Sequence, residues 1–173
     1  MGLGNLQKWT PLIKEAFLQT FRVAKFFCAV HVTNTYICTF ALTRGPSMLP
    51  TFNLTGDFVL AERLSTRFGK VVPGDVVLVR SPDNPRKIIN KRVVGVAGDT
   101  VKFVADPNNC DKEETLVVPQ GHVWIEGDFK YNTNDSRKFG PVPYGLIQGR
   151  IICIVWPPKD IGYVGRDVKK SSS

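Results

Sequence analysis

Ser47 sits in Gly45-Pro46-Ser47-Met48-Leu49-Pro50-Thr51, where two prolines restrict the chain around a hydroxyl and a glycine lets the backbone approach another molecule. Serine chemistry needs such a hydroxyl on an exposed turn, a base within hydrogen-bond reach, and N–H donors for a developing oxyanion. A serine between prolines is by itself an ordinary loop residue, so the base decides. The candidate base is Lys91, in Ile88-Ile89-Asn90-Lys91-Arg92-Val93-Val94-Gly95. Strand alternation puts Ile89, Lys91 and Val93 on one face and Asn90, Arg92 and Val94 on the other. An ammonium among apolar groups is poorly solvated, so its pKa falls from a reference of about 10.4 toward values at which it accepts a serine proton near neutrality. Arg92 cannot do this, because a guanidinium stays protonated. The bland alternative for Lys91 is an edge-strand lysine that stretches its head to water.

A third patch runs from Gly127 to Pro143 and includes Asp128, Thr133, Asn134, Asp135, Ser136 and Arg137. Its short hydrogen-bonding side chains can orient a neighbour, and Asp135 with Arg137 can form a fixed ion pair; a solvated turn is the plain alternative. Of the two histidines, His31 lies in an apolar stretch and His122 opens an ordinary strand pattern, so neither a histidine triad nor a multi-histidine metal site is expected. Cys28, Cys38, Cys110 and Cys153 form no C-x-x-C pair and read as buried or free thiols. No metal and no cofactor are expected.

These residues need a rigid frame. Beyond Thr43 the chain shows short apolar runs, at 57–60, 75–79, 88–96, 100–104, 122–126 and 147–156, which predict a mainly β domain. Gly-Asp pairs at 56–57, 74–75 and 98–99 punctuate turns ahead of strands, while the pair at 127–128 follows one. The polar stretch 105–115 reads as a surface loop and the Lys/Ser-rich end as a frayed tail. A length of 173 residues with 43% hydrophobic residues suits one core domain plus an appendage and excludes wholesale disorder. The net charge of +8 is scattered, with no basic stripe interleaved with aromatics, so no nucleic-acid partner is expected.

The appendage is N-terminal. Leu6 to Phe27 reads as a basic amphipathic helix, and no charged residue follows from Phe26 to Leu42. As helix that uncharged stretch spans about 25 Å against a bilayer core of about 30 Å, so it fits either a membrane anchor or a buried helix. Lys8, Lys14, Arg22 and Lys25 precede it, so a spanning segment would leave the N-terminus on the side of synthesis. The division expected is 1–25 basic segment, 26–42 anchor, 43–166 catalytic domain and 167–173 tail.

Ser47-Met48-Leu49-Pro50-Thr51, Pro73-Gly74-Asp75-Val76-Val77, Lys91-Arg92-Val93-Val94-Gly95 with Gly98-Asp99, and Gly127-Asp128 with Asn134-Asp135-Ser136-Arg137 and Gly140 together resemble the ordered boxes of type I signal peptidases. The match covers about residues 44 to 157. Within the family, Gly121-His122-Val123-Trp124-Ile125-Glu126-Gly127-Asp128 and Gly140-Pro141-Val142-Pro143-Tyr144-Gly145-Leu146-Ile147 are most similar to the mitochondrial inner membrane branch. The resemblance implies a signal-peptidase-like β catalytic domain with a helical anchor. It implies an endopeptidase that removes sorting presequences from precursor polypeptides in the intermembrane space, held in the inner membrane lipid beside a second protease subunit of the same family. Ser47 would be the nucleophile and Lys91 the general base. Thr133 falls where relatives carry a serine that orients the lysine. Gly45, Met48, Pro50, Arg92, Asp128, Asp135, Ser136 and Arg137 would support the site, with Gly45 standing where some bacterial relatives carry a serine of the oxyanion hole.

Two other readings have different signatures. A LexA-like self-cleaving regulator also pairs Ser with Lys but should carry a helix-turn-helix, and a non-enzymatic basic β module should carry a stripe of cations and aromatics. The sequons Asn53-Leu54-Thr55 and Asn134-Asp135-Ser136 lie beside the proposed site, where a glycan would obstruct it; a mitochondrial location avoids that conflict.

Overall fold

The computed structural model describes residues 3–104, 113–129 and 134–166, with side chains from residue 11 onward. It forms two compact units, Met1–Ile37 and Cys38–Ser173.

The first unit is a helix, α1 (Leu3–Val32), that continues into one wider π-helical turn, Thr33–Ile37. Side chains four apart meet on its surface: Phe17 and Phe21 stack with centroids 6.4 Å apart, and the Lys25 ammonium lies 4.7 Å from the Phe21 ring. Leu12, Ile13, Phe17, Phe21, Phe26 and Phe27 are exposed. Among the described residues no helix is long and apolar enough to cross a membrane. The uncharged stretch 26–42 is not one helix. Helical geometry stops at Ile37, and Cys38–Thr43 form a strand, β1, because that backbone finds partners in the sheet. The boundary between compact units therefore falls at 37/38, where the sequence suggested 42/43. One continuous helix also leaves no helix-turn-helix among the described residues.

The second unit is mainly β, as expected. After β1 come β2 (Asp57–Glu62), β3 (Val76–Arg80), β4 (Ile88–Val96), β5 (Thr100–Val104), β6 (Glu113–Val117), β7 (His122–Glu126), β8 (Val142–Pro143), β9 (Ile147–Trp156) and β10 (Gly162–Tyr163). Two single-turn helices, α2 (Leu64–Arg67) and α3 (Ser136–Phe139), interrupt them. The large sheet runs β1-β2-β9-β3-β4-β7-β8, with β10 on β9, and β5-β6 form a separate hairpin; all pairs are antiparallel. Glu113–Thr115, read from sequence as loop, are strand because they pair with Lys102–Val104. The rest of that loop, 105–112, and the tail 167–173 lie outside the described residues.

Apolar packing covers both faces of the central strands. Val76 and Leu78 join Val59, Ala61, Ile151 and Ile154 in one core with Met48 and Phe52, while Val77 and Val79 point the other way into a core with Val93, Val123, Ile125, Val142 and Ile147. That is why β3 reads as an unbroken apolar run rather than an alternating one. Turns before the strands use the Gly-Asp pairs as expected. Gly74 and Gly98 take φ values of 94° and 92°, and the following carboxylates accept the main-chain N–H three residues back, Val72 to Asp75 at 3.1 Å and Val96 to Asp99 at 2.8 Å.

Candidate active site

Ser47 lies on a single 3-10 turn, Pro46–Met48, entered through Gly45 at φ 102°. The backbone of Gly45 is one that L side chains rarely adopt, so glycine is required there for the chain to turn. Met48, 2% exposed, plugs the first core and fixes the turn from below, which leaves Ser47 partly open to solvent above it. Main-chain bonds complete the anchor: Leu49 N–H donates to Pro46 O at 3.1 Å, Phe52 N–H to Met48 O at 3.0 Å, and Phe129 N–H to Ser47 O at 3.2 Å. The last of these ties the Ser47 main chain to the turn that follows β7.

Lys91 is 2% exposed on β4, a strand flanked by β3 and β7, so the edge-strand alternative does not hold. It stands opposite Val77 and shares its face with Ile89 and Val93, as strand alternation predicts. Its pKa drops from an ordinary 10.5 to about 8. Burial is the largest cause; the Asp135 carboxylate pulls the value back up, Arg137 and Lys87 push it further down, and Asp128 raises it. Ser47 and Lys91 line one groove of about 840 Å³, together with Gly45, Pro46 and the β1 segment 39–42.

Arg92 points to the other face and does structural work. Its guanidinium grips Asp128 with two bonds, Nε to Oδ1 and Nη2 to Oδ2, each 2.8 Å. Nη1 donates to the Gly74 and Gly165 carbonyls at 2.9 and 3.1 Å. Nη2 also reaches the Thr51 hydroxyl at 3.2 Å, and that hydroxyl donates to Asp128. The serine turn, the lysine strand and the Gly127-Asp128 turn are thus joined by one buried network. Asp135 caps α3: it accepts Arg137 N–H at 3.2 Å, pairs with the Arg137 guanidinium at 2.6 Å, and holds Gly127 N–H at 3.0 Å. The Ser136 hydroxyl accepts Ile125 N–H at 3.0 Å, which fastens α3 to β7.

Of the residues singled out from sequence, Gly45, Ser47 and Lys91 meet at the groove. Met48 seats the turn, while Arg92, Asp128, Asp135, Ser136 and Arg137 brace the elements around it. Pro50 is exposed after a cis peptide bond with Leu49 and does not line the groove. Thr133 lies outside the described residues. Sequence reasoning passed over the role of Thr51, whose signal was its place in the same short box as Ser47. It also passed over the groove residues Arg63, Lys87, Asn90, Lys138 and Gln148, which carry no local motif. Among the described residues no cluster of His, Cys, Asp and Glu is arranged to hold a metal. Cys28, Cys38 and Cys153 are free thiols, none fully buried, and Cys110 lies outside the described residues.

A β scaffold that opens a serine hydroxyl and a low-pKa lysine onto one groove has the parts a serine-type peptidase uses. The chain belongs to the signal peptidase family, peptidase S26, whose model matches residues 17–107 and 104–156. It is a serine-type signal peptidase by that membership. It is 53% identical over 160 residues to the mitochondrial ATP-independent inner membrane protease subunit 1a of Arabidopsis thaliana, covering 92% of this chain and 95% of the relative. The human mitochondrial inner membrane protease subunit 1 is 41% identical over 157 residues, covering 88% and 93%. Subunit 2 of that protease from Danio rerio is 43% identical over 143 residues, covering 79% and 75%.

Proposed function

We propose that the chain is an endopeptidase of the mitochondrial inner membrane that removes N-terminal sorting presequences from precursor polypeptides, with Ser47 as nucleophile and Lys91 as general base. The observation that carries this reading is the buried Lys91, titrating near 8 in the groove that Ser47 also lines. β1 ends the large sheet, and its segment 39–42 borders the groove, so an extended substrate can pair along its outer edge and lie across Ser47. The Ser47 oxygen then attacks the scissile carbonyl carbon while neutral Lys91 takes the hydroxyl proton. The oxyanion that forms needs donors from the main chain of the Gly45–Ser47 turn, whose path the positive φ of Gly45 sets. Collapse expels the amine, which takes the proton back from Lys91, and leaves an acyl ester on Ser47. Water, deprotonated by the same lysine, releases the acid and restores the hydroxyl.

The names of the relatives support placement in the inner membrane. The basic residues Lys14, Arg22 and Lys25 and the exposed apolar side chains of α1 support attachment through the N-terminal segment, with the catalytic unit in the intermembrane space. Subunit 2 being a relative supports a second family member as partner. The test is cleavage of a precursor fragment by the full chain in detergent, with products mapped by mass spectrometry. One cut at the presequence junction, absent with Ser47→Ala, is the result expected; cleavage that survives Ser47→Ala would refute the reading.

A further inference from the structure

Between β2 and β3 the chain leaves the sheet and forms a short knuckle, residues 63–72, built on α2. The knuckle is held from inside. Val71, 4% exposed, joins the second core, and the buried Thr66 donates its hydroxyl to the Arg63 carbonyl at 2.7 Å. Main-chain bonds close the turn: Phe68 N–H donates to Leu64 O at 3.0 Å and Lys70 N–H to Ser65 O at 2.8 Å, with Gly69 at φ 65° letting the chain reverse.

Its outer surface carries side chains that this anchoring does not use. Leu64, Phe68 and Val72 are exposed, Phe68 to 70%. Arg67 and Lys70 are exposed beside them, and the Lys70 ammonium lies 6.0 Å from the centre of the Phe68 ring, so a cation and an aromatic end at the same place. No Asp or Glu occurs from Arg63 to Gly74. An apolar tip ringed by cations and free of acids matches the interface of an anionic bilayer, where the ring sinks to headgroup depth and the cations meet phosphates.

The knuckle also stands in the right place. Glu62, the last residue of β2, pairs with Cys38, the residue at which the chain enters the catalytic unit from the N-terminal helix. The knuckle begins one residue further on, and Arg63 at its base also lines the groove.

We propose that residues 64–72 dock the catalytic unit on an anionic bilayer surface, with Phe68 entering the headgroup layer and Arg67 and Lys70 meeting lipid phosphates. This rests on the N-terminal attachment of the reading above and adds a second contact, which holds the groove at the surface rather than leaving it on a tether. A second contact made by an already attached chain needs little affinity of its own, because its effective concentration at the surface is high.

The experiment reconstitutes the full chain into vesicles of phosphatidylcholine, alone or mixed with phosphatidylglycerol, whose acyl chains carry bromine near the headgroup as a quencher of indole. Flotation of the vesicles reports attachment separately. Phe68→Trp adds one indole, and the signal of Trp9, Trp124 and Trp156 is subtracted with wild type. The added indole is expected to be quenched in the anionic vesicles, with about half or more of that quenching lost in about 0.5 M salt. Arg67→Gln with Lys70→Gln, placed on Phe68→Trp, should abolish the quenching while flotation persists. Phe68→Ser should keep the urea midpoint and the turnover of a soluble peptide, and should raise KM for a vesicle-bound precursor.

Flotation without quenching of the added indole would overturn docking and leave attachment standing. Quenching that is equal in neutral and anionic vesicles and indifferent to the double change would overturn the role of the cations. An added indole that is unquenched by lipid but shifts to the blue on addition of a second family subunit would overturn docking in favour of a protein partner. Quenching and flotation confined to anionic vesicles, and lost together in the double change, would support the knuckle and remove the N-terminal attachment.

Discussion

Lys91 and Arg92 are chain neighbours on β4 that face opposite ways, one into an apolar core where it loses its proton easily, the other into a two-pronged grip on Asp128 at 2.8 Å. The pair converts one strand into both a chemical and a mechanical element. Arg92 fixes where the strand sits relative to the serine turn, because the same guanidinium reaches Thr51. Lys91 is then delivered to a groove whose other wall is held by Met48.

That grip sets a first expectation. Asp128→Asn leaves a charged Arg92, with 4% of its side chain exposed, facing a neutral amide in place of the carboxylate, which should cost about 3 kcal/mol of stability. Cleavage should fall further than the folded fraction does, since Thr51, beside the Ser47 turn, loses the carboxylate that accepts its hydroxyl. Urea unfolding and kcat measured on the same preparation check both; unchanged stability would show that the network is not holding the turn.

The lysine itself is stabilising to remove. A pKa of about 8 in the folded chain against an ordinary 10.5 means that folding penalises the ammonium. Below about pH 8 both states hold the proton and the full penalty is present; it fades as pH rises from 8 through 10.5 and is gone above that, where both states are neutral. Lys91→Met should therefore raise the thermal midpoint at pH 7 while abolishing cleavage, and its advantage over wild type should shrink between pH 8 and 10.5. A lower midpoint at pH 7 would contradict the assignment of burial as the dominant influence on Lys91.

For activity the sign is set by the base. With a neutral peptide, kcat/KM should climb with pH through about 8, the value at which Lys91 loses its proton. Lys87 pushes that value down, so Lys87→Gln should move the midpoint to higher pH. Lys91→Arg should be inactive at every pH. A flat profile, or an active arginine variant, would show that another group accepts the serine proton.

Much of this frame was legible in the sequence because the strands alternate or run apolar between Gly-Asp turns, and β4 placed Lys91 and Arg92 on their correct faces. β1 was not legible. Cys38–Thr43 follow the helix with no charge between, and a short apolar run has no period that separates strand from helix; only pairing with β2 decides it. β6 begins with Glu113-Glu114-Thr115, which reads as loop until its partner β5 is in place. The clamp partner Thr51 was invisible for a related reason: its hydroxyl bonds to Asp128 from 77 positions away in sequence.

From its place in the family pattern we propose that Thr133 orients Lys91. Thr133→Val, which keeps the shape and removes the oxygen, should lower kcat more than it changes KM, and Thr133→Ser should stay active. Identical pH profiles for wild type and Thr133→Val would reduce Thr133 to a turn residue.

Anchoring is tested by alkaline carbonate extraction of mitochondria. The full chain should stay with the membrane pellet, held by its N-terminal segment, and the catalytic unit should be digested by protease only once the outer membrane is opened. Release of intact chain into the supernatant would remove the anchor, and protection after opening would reverse the orientation.

The most direct measurement for the central claim, that Ser47 and Lys91 act as one catalytic unit, is a double-mutant cycle on a single precursor peptide. Ser47→Ala, Lys91→Ala and the combined variant, each shown to be folded, should all lose cleavage to the same residual rate, because removing either member already disables the other. A double variant far slower than both single variants, or a single variant that retains substantial turnover, would contradict it.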